Sequence, residues 1–293
     1  MIKLFVSDLD CTLLNSDHKV SAVTKDAVKR IREAGVSFMP ASGRDYVMLM
    51  DVMSQLEIKP KCICLNGAQF YDNDGKLLTS YPVPEEKLRQ VFKMIDEYNL
   101  DVDFFTESGT YNYGEPELFY DICLARYMNL FHDNNKQNLL KFMDDNKLLQ
   151  VTTCTRDKDE IIAHKVMKVE IYFSNHIQRN AIFKAVRHIE GIAAVGSHDL
   201  NLEITSRHAT KGSMVERVCE YYGYAKDEVV VIGDGFNDAS MFLNFTNSFC
   251  MGQASEDLKN LATYVAKSNI ENGVADVIEK LLANNLEIDN DKF

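Results

Sequence analysis

Three short clusters of acids, glycines and hydroxyls hold the residue types that could do chemistry in this 293-residue chain. Ser7-Asp8-Leu9-Asp10-Cys11-Thr12 follows the apolar run Leu4-Phe5-Val6. Ala41-Ser42-Gly43-Arg44 follows Val36 to Pro40. Gly233-Asp234-Gly235-Phe236-Asn237-Asp238 follows Val229 to Ile232. Together they bring four carboxylates (Asp8, Asp10, Asp234 and Asp238), hydroxyls, a cation and glycines that expose backbone N–H groups. Gathered carboxylate oxygens suit a hard cation, and Mg²⁺ needs only a few protein oxygens beside water and phosphate. Ser42 before Gly43 offers a hydroxyl and backbone donors to an anion. Each cluster alone has a plain explanation. Asp-x-Asp can be a solvated strand end, Ser-Gly-Arg a turn, and Asp234 to Asp238 a Gly-Asp turn. A calcium loop is excluded there, because no Glu stands twelve positions on from a first ligand. All three clusters in order, each after a buried strand, make coincidence the weaker account.

The elements that must position these clusters read as alternating strand and helix. Strands are expected at Lys3 to Ser7, Val36 to Ala41 and Lys61 to Leu65. Between them lie helices, one capped by Ser21 and closed by Gly35, the other over Asp45 to Leu56. Asn73-Asp74-Gly75 marks a hairpin turn. The C-terminal part repeats the grammar. Helices are expected at Lys211 to Tyr222, Asn237 to Phe245, Glu256 to Ala262 and about Gly273 to Leu282. Strands are expected at Glu228 to Ile232, Ser248 to Met251 and Tyr264 to Ala266. The tail Glu287 to Phe293 is acidic, polar and expected to be loose. Such alternation predicts an α/β fold, a Rossmann-like doubly wound parallel sheet whose ligands bind outside the carboxyl ends of the strands.

The middle has a different texture. An amphipathic helix runs through Leu88, Val91, Phe92, Ile95 and Tyr98, followed by strands at Val102 to Thr106 and Thr110 to Tyr113. Helices are expected near Leu118 to Met128 and Asn138 to Asp145. Then come a strand at Val166 to Phe173, a helix at Ile177 to Ile189, and a strand pair at Ile192 to Val195 and Leu200 to Ile204. This predicts an inserted α+β domain over 83–206, its strands grouped in hairpins, within a first domain of 1–82 and 207–293. Phe104, Phe105, Tyr111 and Tyr113 are expected on the inner face of the insert.

Composition narrows the class. Apolar residues make up 46% and charged residues 26%, which excludes disorder as the main state. A net charge of −12 argues against broad nucleic-acid or anionic-membrane surfaces. No apolar run approaches the roughly 20 residues that span a bilayer, and an acid at position 8 argues against a secretory signal. Seven cysteines, an odd number without a Cys-x-x-Cys, fit reduced thiols in a cytoplasmic protein. Cys62 and Cys64 lie on one face of a strand with no second ligand pair, so they read as buried thiols.

The chain resembles the haloacid dehalogenase-like hydrolase superfamily, in its Cof-type sugar-phosphatase branch. The resemblance rests on Asp8-Leu9-Asp10-Cys11-Thr12-Leu13-Leu14, Ser42-Gly43-Arg44, Lys211-Gly212 and Gly233 to Asp238. Leu65-Asn66-Gly67-Ala68, Met251-Gly252-Gln253-Ala254 and Asn272-Gly273-Val274-Ala275 are similar as well. Cys11 departs from the pattern, since the family usually has glycine there. The resemblance implies that Asp8 is the nucleophile, forming an aspartyl-phosphate. Asp10 would protonate the leaving oxygen and then activate water. Lys211 would offset charge on Asp8 and the phosphoryl group. Mg²⁺ would be held by Asp8, the Asp10 carbonyl and Asp234, with Asp238 in support. Ser42, Asn237 and backbone groups at Leu9 and Gly43 would contact phosphate. Arg44 is left between reaching the substrate and pairing with an acid. Asn66 reads as a turn residue, and His208 as an ordinary histidine.

Spacing locates the insert. Only about 30 residues separate Asp10 from Ser42, enough for a helix and a strand, whereas about 165 separate Arg44 from Lys211. This resembles the C2-type cap of the family, which closes over the site with hinges near Pro82 to Pro84 and Ser206 to Thr210. The expected function is Mg²⁺-dependent hydrolysis of small phosphorylated metabolites, with sugar phosphates first and phosphorylated cofactors next. A phosphomannomutase-like phosphotransferase and a non-catalytic phosphosugar sensor are the rivals. The oligomeric state is not legible.

Overall fold

The computed structural model describes residues 1–288 apart from 132–134, 136, 139, 142–151 and 197–199. Most of the helix expected near Asn138 to Asp145, and 289–293 of the tail, lie outside the described residues. The first unit, Met1–Tyr81 with His208–Phe293, surrounds in sequence the second, Pro82–Arg207. In chain order the first unit begins with β1 (Leu4–Ser7), α1 (Ala22–Glu33), β2 (Ser37–Pro40), α2 (Tyr46–Ser54), β3 (Cys62–Cys64), β4 (Gln69–Tyr71) and β5 (Leu77–Ser80). The insert holds α3 (Glu85–Tyr98), β6 (Asp101–Thr106), β7 (Gly109–Asn112), α4 (Pro116–Phe131), β8 (Thr152–Cys154), α5 (Lys158–Ala163), β9 (Val166–Tyr172), α6 (His176–Val186), β10 (Ile192–Val195) and β11 (Asn201–Ser206). The first unit resumes with α7 (Lys211–Tyr222), β12 (Val229–Gly233), α8 (Ala239–Asn244), β13 (Ser248–Cys250), α9 (Glu256–Lys259), β14 (Tyr264–Val265) and α10 (Gly273–Ala283).

The first unit is built on a five-stranded parallel sheet in the order β14-β13-β12-β1-β2. Its strands are apolar without alternation because both faces are covered. Leu4, Val6, Val229 and Val231 pack with Met214, Val218, Phe242 and Phe245. Ser21 caps α1 by accepting from the Thr24 N–H, and Arg30 on α1 pairs with Glu279 on α10 at 2.6 Å. The expected third core strand is placed differently. β3 pairs antiparallel with β4 in a separate sheet, β3-β4-β5, and meets the main sheet through one parallel bridge, Ala41 to Ile63. Its short run, followed at once by a turn at Leu65–Gly67, favours the neighbouring hairpin.

In the insert, six strands run in the order β10-β11-β9-β6-β7-β8. β6-β7 and β10-β11 are hairpins as expected, but β8 joins β7 in parallel, so the grouping is not by hairpins alone. Phe104, Tyr111 and Tyr113 enter the apolar core with Phe92, Val169 and Ile171. Phe105 does not, because adjacent strand residues point to opposite faces; its ring receives the Lys168 ammonium at 4.4 Å. No helix among the described residues is long and apolar enough to cross a membrane.

Candidate active site

Parallel register brings the three clusters to one edge. Ser7 pairs with both Ile232 and Pro40, so β1, β12 and β2 end level with one another. The Asp8 N–H donates to Ile232 O at 3.0 Å and the Ala41 N–H to Ser7 O at 2.9 Å. Beyond Asp8 the chain makes a π-helical turn, Leu9–Leu13, closed by the Leu14 N–H donating to Leu9 O at 2.9 Å. Leu9 is buried beneath it. Asp10 is extended (φ −70°, ψ 130°), and Cys11 is left-handed (φ 56°, ψ 6°). This explains why glycine suits position 11, since a β-carbon in that region costs roughly 1–2 kcal/mol. Burial first, then Asp234, Asp10 and Asp8, push the exposed Cys11 thiol up to about 11, so it stays protonated.

Lys211 opens α7, which Thr210 caps by accepting from the Ser213 N–H. Its fully buried Nζ donates to Asp8 Oδ1 and to Asp238 Oδ1, each at 2.6 Å. Asp238 Oδ2 accepts from the Asp234 and Gly235 N–H groups at 2.9 and 3.0 Å, which folds the third cluster around its own carboxylate. Gly233 leaves room for that carboxylate: a β-carbon there would lie 2.3 Å from Asp238 Oδ2. Thr12 Oγ1 donates to Asp234 Oδ1 at 2.5 Å.

Asp8, Asp234 and Asp238 present oxygens that all lie within 4.8 Å of one another. Burial, then Asp238, push Asp8 well up, opposed by the Lys211 ammonium. Burial and Asp238 also raise Asp234 to about 7. Three carboxylates around one buried ammonium leave an excess of negative charge, and an all-oxygen donor set of this size fits a hard divalent cation.

Asp10 points its carboxylate elsewhere. Arg44 grips it with two bonds, Nε to Oδ2 at 2.9 Å and Nη2 to Oδ1 at 2.6 Å. Burial pushes Asp10 up, but the guanidinium outweighs it and holds the carboxyl below its usual range. Of the two roles open for Arg44, the structure shows the pairing with an acid. Ser42 is buried, and its Oγ accepts from the Arg44 N–H at 3.1 Å across the bend at Gly43. Asn66 is both a left-handed turn residue (φ 57°) and a link, its Oδ1 accepting from Asn237 Nδ2 at 3.2 Å. Gly67 (φ 99°) admits the Thr210 carbonyl, which would stand 2.3 Å from a β-carbon. His208 contributes its backbone carbonyl to Arg217.

A family model of haloacid dehalogenase-like hydrolases matches residues 5–278. The chain belongs to the haloacid dehalogenase-like hydrolases. The hydrolase is 27% identical over 286 residues to "Phosphatase YwpJ" of Bacillus subtilis, covering 96% of this chain and 100% of that one. It is 25% identical over 293 residues to "5-amino-6-(5-phospho-D-ribitylamino)uracil phosphatase YwtE" of the same organism, covering 96% and 99%. A solved haloacid dehalogenase-like hydrolase from B. subtilis superposes with a TM-score of 0.83 at 26% identity, covering 95% and 99%. The family match and the two relatives together give the enzyme class, a phosphatase of the haloacid dehalogenase-like type.

In this hydrolase Asp8, Lys211, Asp234 and Asp238 form one group, with Asp10 and Arg44 paired beside it and Ser42, Asn66 and Asn237 linked around it. Reasoning from sequence gave Thr12 no role, although its place two residues after Asp10 was a usable signal. Gln253 lies in the run Met251 to Ala254 that resembles the family, but nothing local pointed to its partner, the Cys11 carbonyl, to which it donates at 2.6 Å across 242 residues.

Proposed function

We propose that this hydrolase is a cytoplasmic, Mg²⁺-dependent phosphatase that cleaves small phosphomonoesters through an aspartyl-phosphate on Asp8. The observation that carries the reading is the set of three carboxylates, Asp8, Asp234 and Asp238, gathered within 4.8 Å around the single buried Lys211 ammonium beyond the ends of the parallel strands β1 and β12. Asp8 attacks phosphorus in line; the Asp8 O–P bond forms as the bond to the leaving oxygen breaks, and Asp10 gives that oxygen its proton. Asp10 then takes a proton from water as the water oxygen attacks phosphorus, releasing inorganic phosphate and restoring the Asp8 carboxylate. Arg44 favours the ionised form of Asp10, the form that this second step requires.

Lys211 favours the charged form of Asp8, against its burial, and orients it. Ser42 and Asn237, with backbone groups at Leu9 and Gly43, are assigned to the phosphate oxygens. Mg²⁺ would be held by Asp8, Asp234 and the Asp10 carbonyl, with Asp238 holding the loop. When bound it supplies positive charge that offsets the repulsion between carboxylates and phosphate.

In the same proposal, 1–82 and 207–293 form the catalytic domain, and the inserted domain, 83–206, selects the substrate. Phosphorylated sugars and sugar alcohols come first as substrates. The relative YwtE, named for a 5-phospho-D-ribityl compound, supports that class. Phosphate release from a panel of phosphorylated metabolites, with and without Mg²⁺, tests the reading. Release should require the metal and vanish in Asp8→Asn. Turnover that survives Asp8→Asn would overturn it, and phosphate transfer to an added sugar without release would favour a mutase.

A further inference from the structure

The catalytic turn is held from outside by two amide side chains of the C-terminal segment. Gln253 Nε2 donates to Cys11 O at 2.6 Å, and Gln253 Oε1 accepts from the Asn269 N–H at 3.1 Å. Asn269 Nδ2 donates in turn to Leu14 O at 3.1 Å. The two amides therefore bracket the turn at its apex and at its exit. Both bond its backbone rather than its carboxylates. Ser21, farther along the same stretch, donates to Asn272 Oδ1 at 2.6 Å, so the segment 269–272 anchors this stretch of chain twice.

The apex needs such support. Cys11 carries a β-carbon in the left-handed region, where glycine alone is at ease, and a strained residue persists only where its surroundings over-determine it. The peptide between Asp10 and Cys11 turns with the φ of Cys11. Relaxation of Cys11 to a right-handed conformation would redirect the Asp10 carbonyl and carry its side chain along.

We propose that Gln253, supported by Asn269, is a positioning residue that holds Cys11 left-handed and so fixes Asp10 for proton transfer. The inference rests on the roles given above to Asp8 and Asp10.

The test substitutes Gln253→Glu, close to isosteric but unable to donate to the Cys11 carbonyl, alone and together with Cys11→Gly. Expected for Gln253→Glu is a kcat about 3- to 10-fold lower, the size of one net hydrogen bond, with KM within about twofold. Amide exchange of Leu14 in metal-free protein should quicken while the melting temperature holds, because Gln253 is exposed. Cys11→Gly should recover most of the lost kcat, since glycine adopts a φ near 56° without a β-carbon. An unchanged kcat, or an equal loss in both backgrounds, overturns the proposal, as does unchanged Leu14 exchange. Asp8→Asn run in parallel separates the two claims. Activity surviving that substitution sinks the reading of Asp8, while the exchange rates still judge the role of Gln253.

Discussion

Lys211 in the first unit and Lys168 in the insert are both buried, and each ammonium lies between two carboxylates. Lys211 meets Asp8 and Asp238 at 2.6 Å each; Lys168 meets Glu170 at 2.9 Å and Glu203 at 2.7 Å. Their origins differ. Glu170 is two residues from Lys168 on β9, and Glu203 is directly across the ladder from Glu170 on β11. The strand pleat alone puts these side chains on one face. Asp8, Lys211 and Asp238 instead come from a strand end, a helix start and a loop, converging only through the parallel register. Asp234 joins them as a further carboxylate, and burial raises it to about 7. A buried ammonium between two carboxylates is thus compatible with a purely structural role, as Lys168 illustrates. Negative charge beyond what the ammonium balances, at the ends of parallel strands, marks the site.

This contrast predicts unequal outcomes for similar substitutions. Lys211→Met should lower kcat by at least about 100-fold, because it removes the only cation bonded to Asp8 among the described residues. Phosphate-release kinetics would show it, and retained turnover would place Lys211 with Lys168 as structural. Lys168→Met should cost about 3–5 kcal/mol in denaturant unfolding, since the buried Glu203 and the half-buried Glu170 lose their shared cation. Its kcat per folded molecule should match wild type, and a fall in kcat would erase the contrast.

Arg44→Gln should lower kcat about tenfold and move the ascending limb of the pH profile upward. Without the guanidinium, the Asp10 carboxyl returns toward its usual range. An unmoved limb would disconnect Arg44 from the proton transfers.

The smallest effect concerns the excess charge itself. Asp234 has a raised pKa in the folded chain, so the folded state holds a proton that the unfolded chain releases above its ordinary value of 3.8. That contribution to stability is complete below about pH 4 and is lost as pH climbs through about 7. The metal-free protein should therefore melt roughly 5 °C lower at pH 8 than at pH 5, with Mg²⁺ flattening the slope. A slope that Mg²⁺ leaves unchanged would separate the cluster from the metal.

The three polar clusters were legible because each follows a largely apolar strand, although the side-by-side order of those strands, β12-β1-β2, differs from their order along the chain. Lys211 and its partner Asp8 were legible by resemblance, whereas its second partner, Asp238, needed the fold. The insert was readable as a change of texture. The parallel pairing of β7 with β8 was not readable, since parallel neighbours leave no turn between them in the sequence. Phe105 shows the reverse case. Simple alternation along β6 sets it opposite Phe104, and the residue order alone carries that information.

Residue type and local spacing by themselves determined the strand-helix alternation, the cap at Ser21 and the acids available for chemistry. These depend on neighbours within a few positions, where propensity and periodicity act. Only the tertiary structure decided that Arg44 holds Asp10, that Thr12 orients Asp234, and that Gln253 grips the carbonyl of Cys11. Each of these contacts joins segments 34 to 242 residues apart, and the register of a closed fold chooses such partners rather than any local preference.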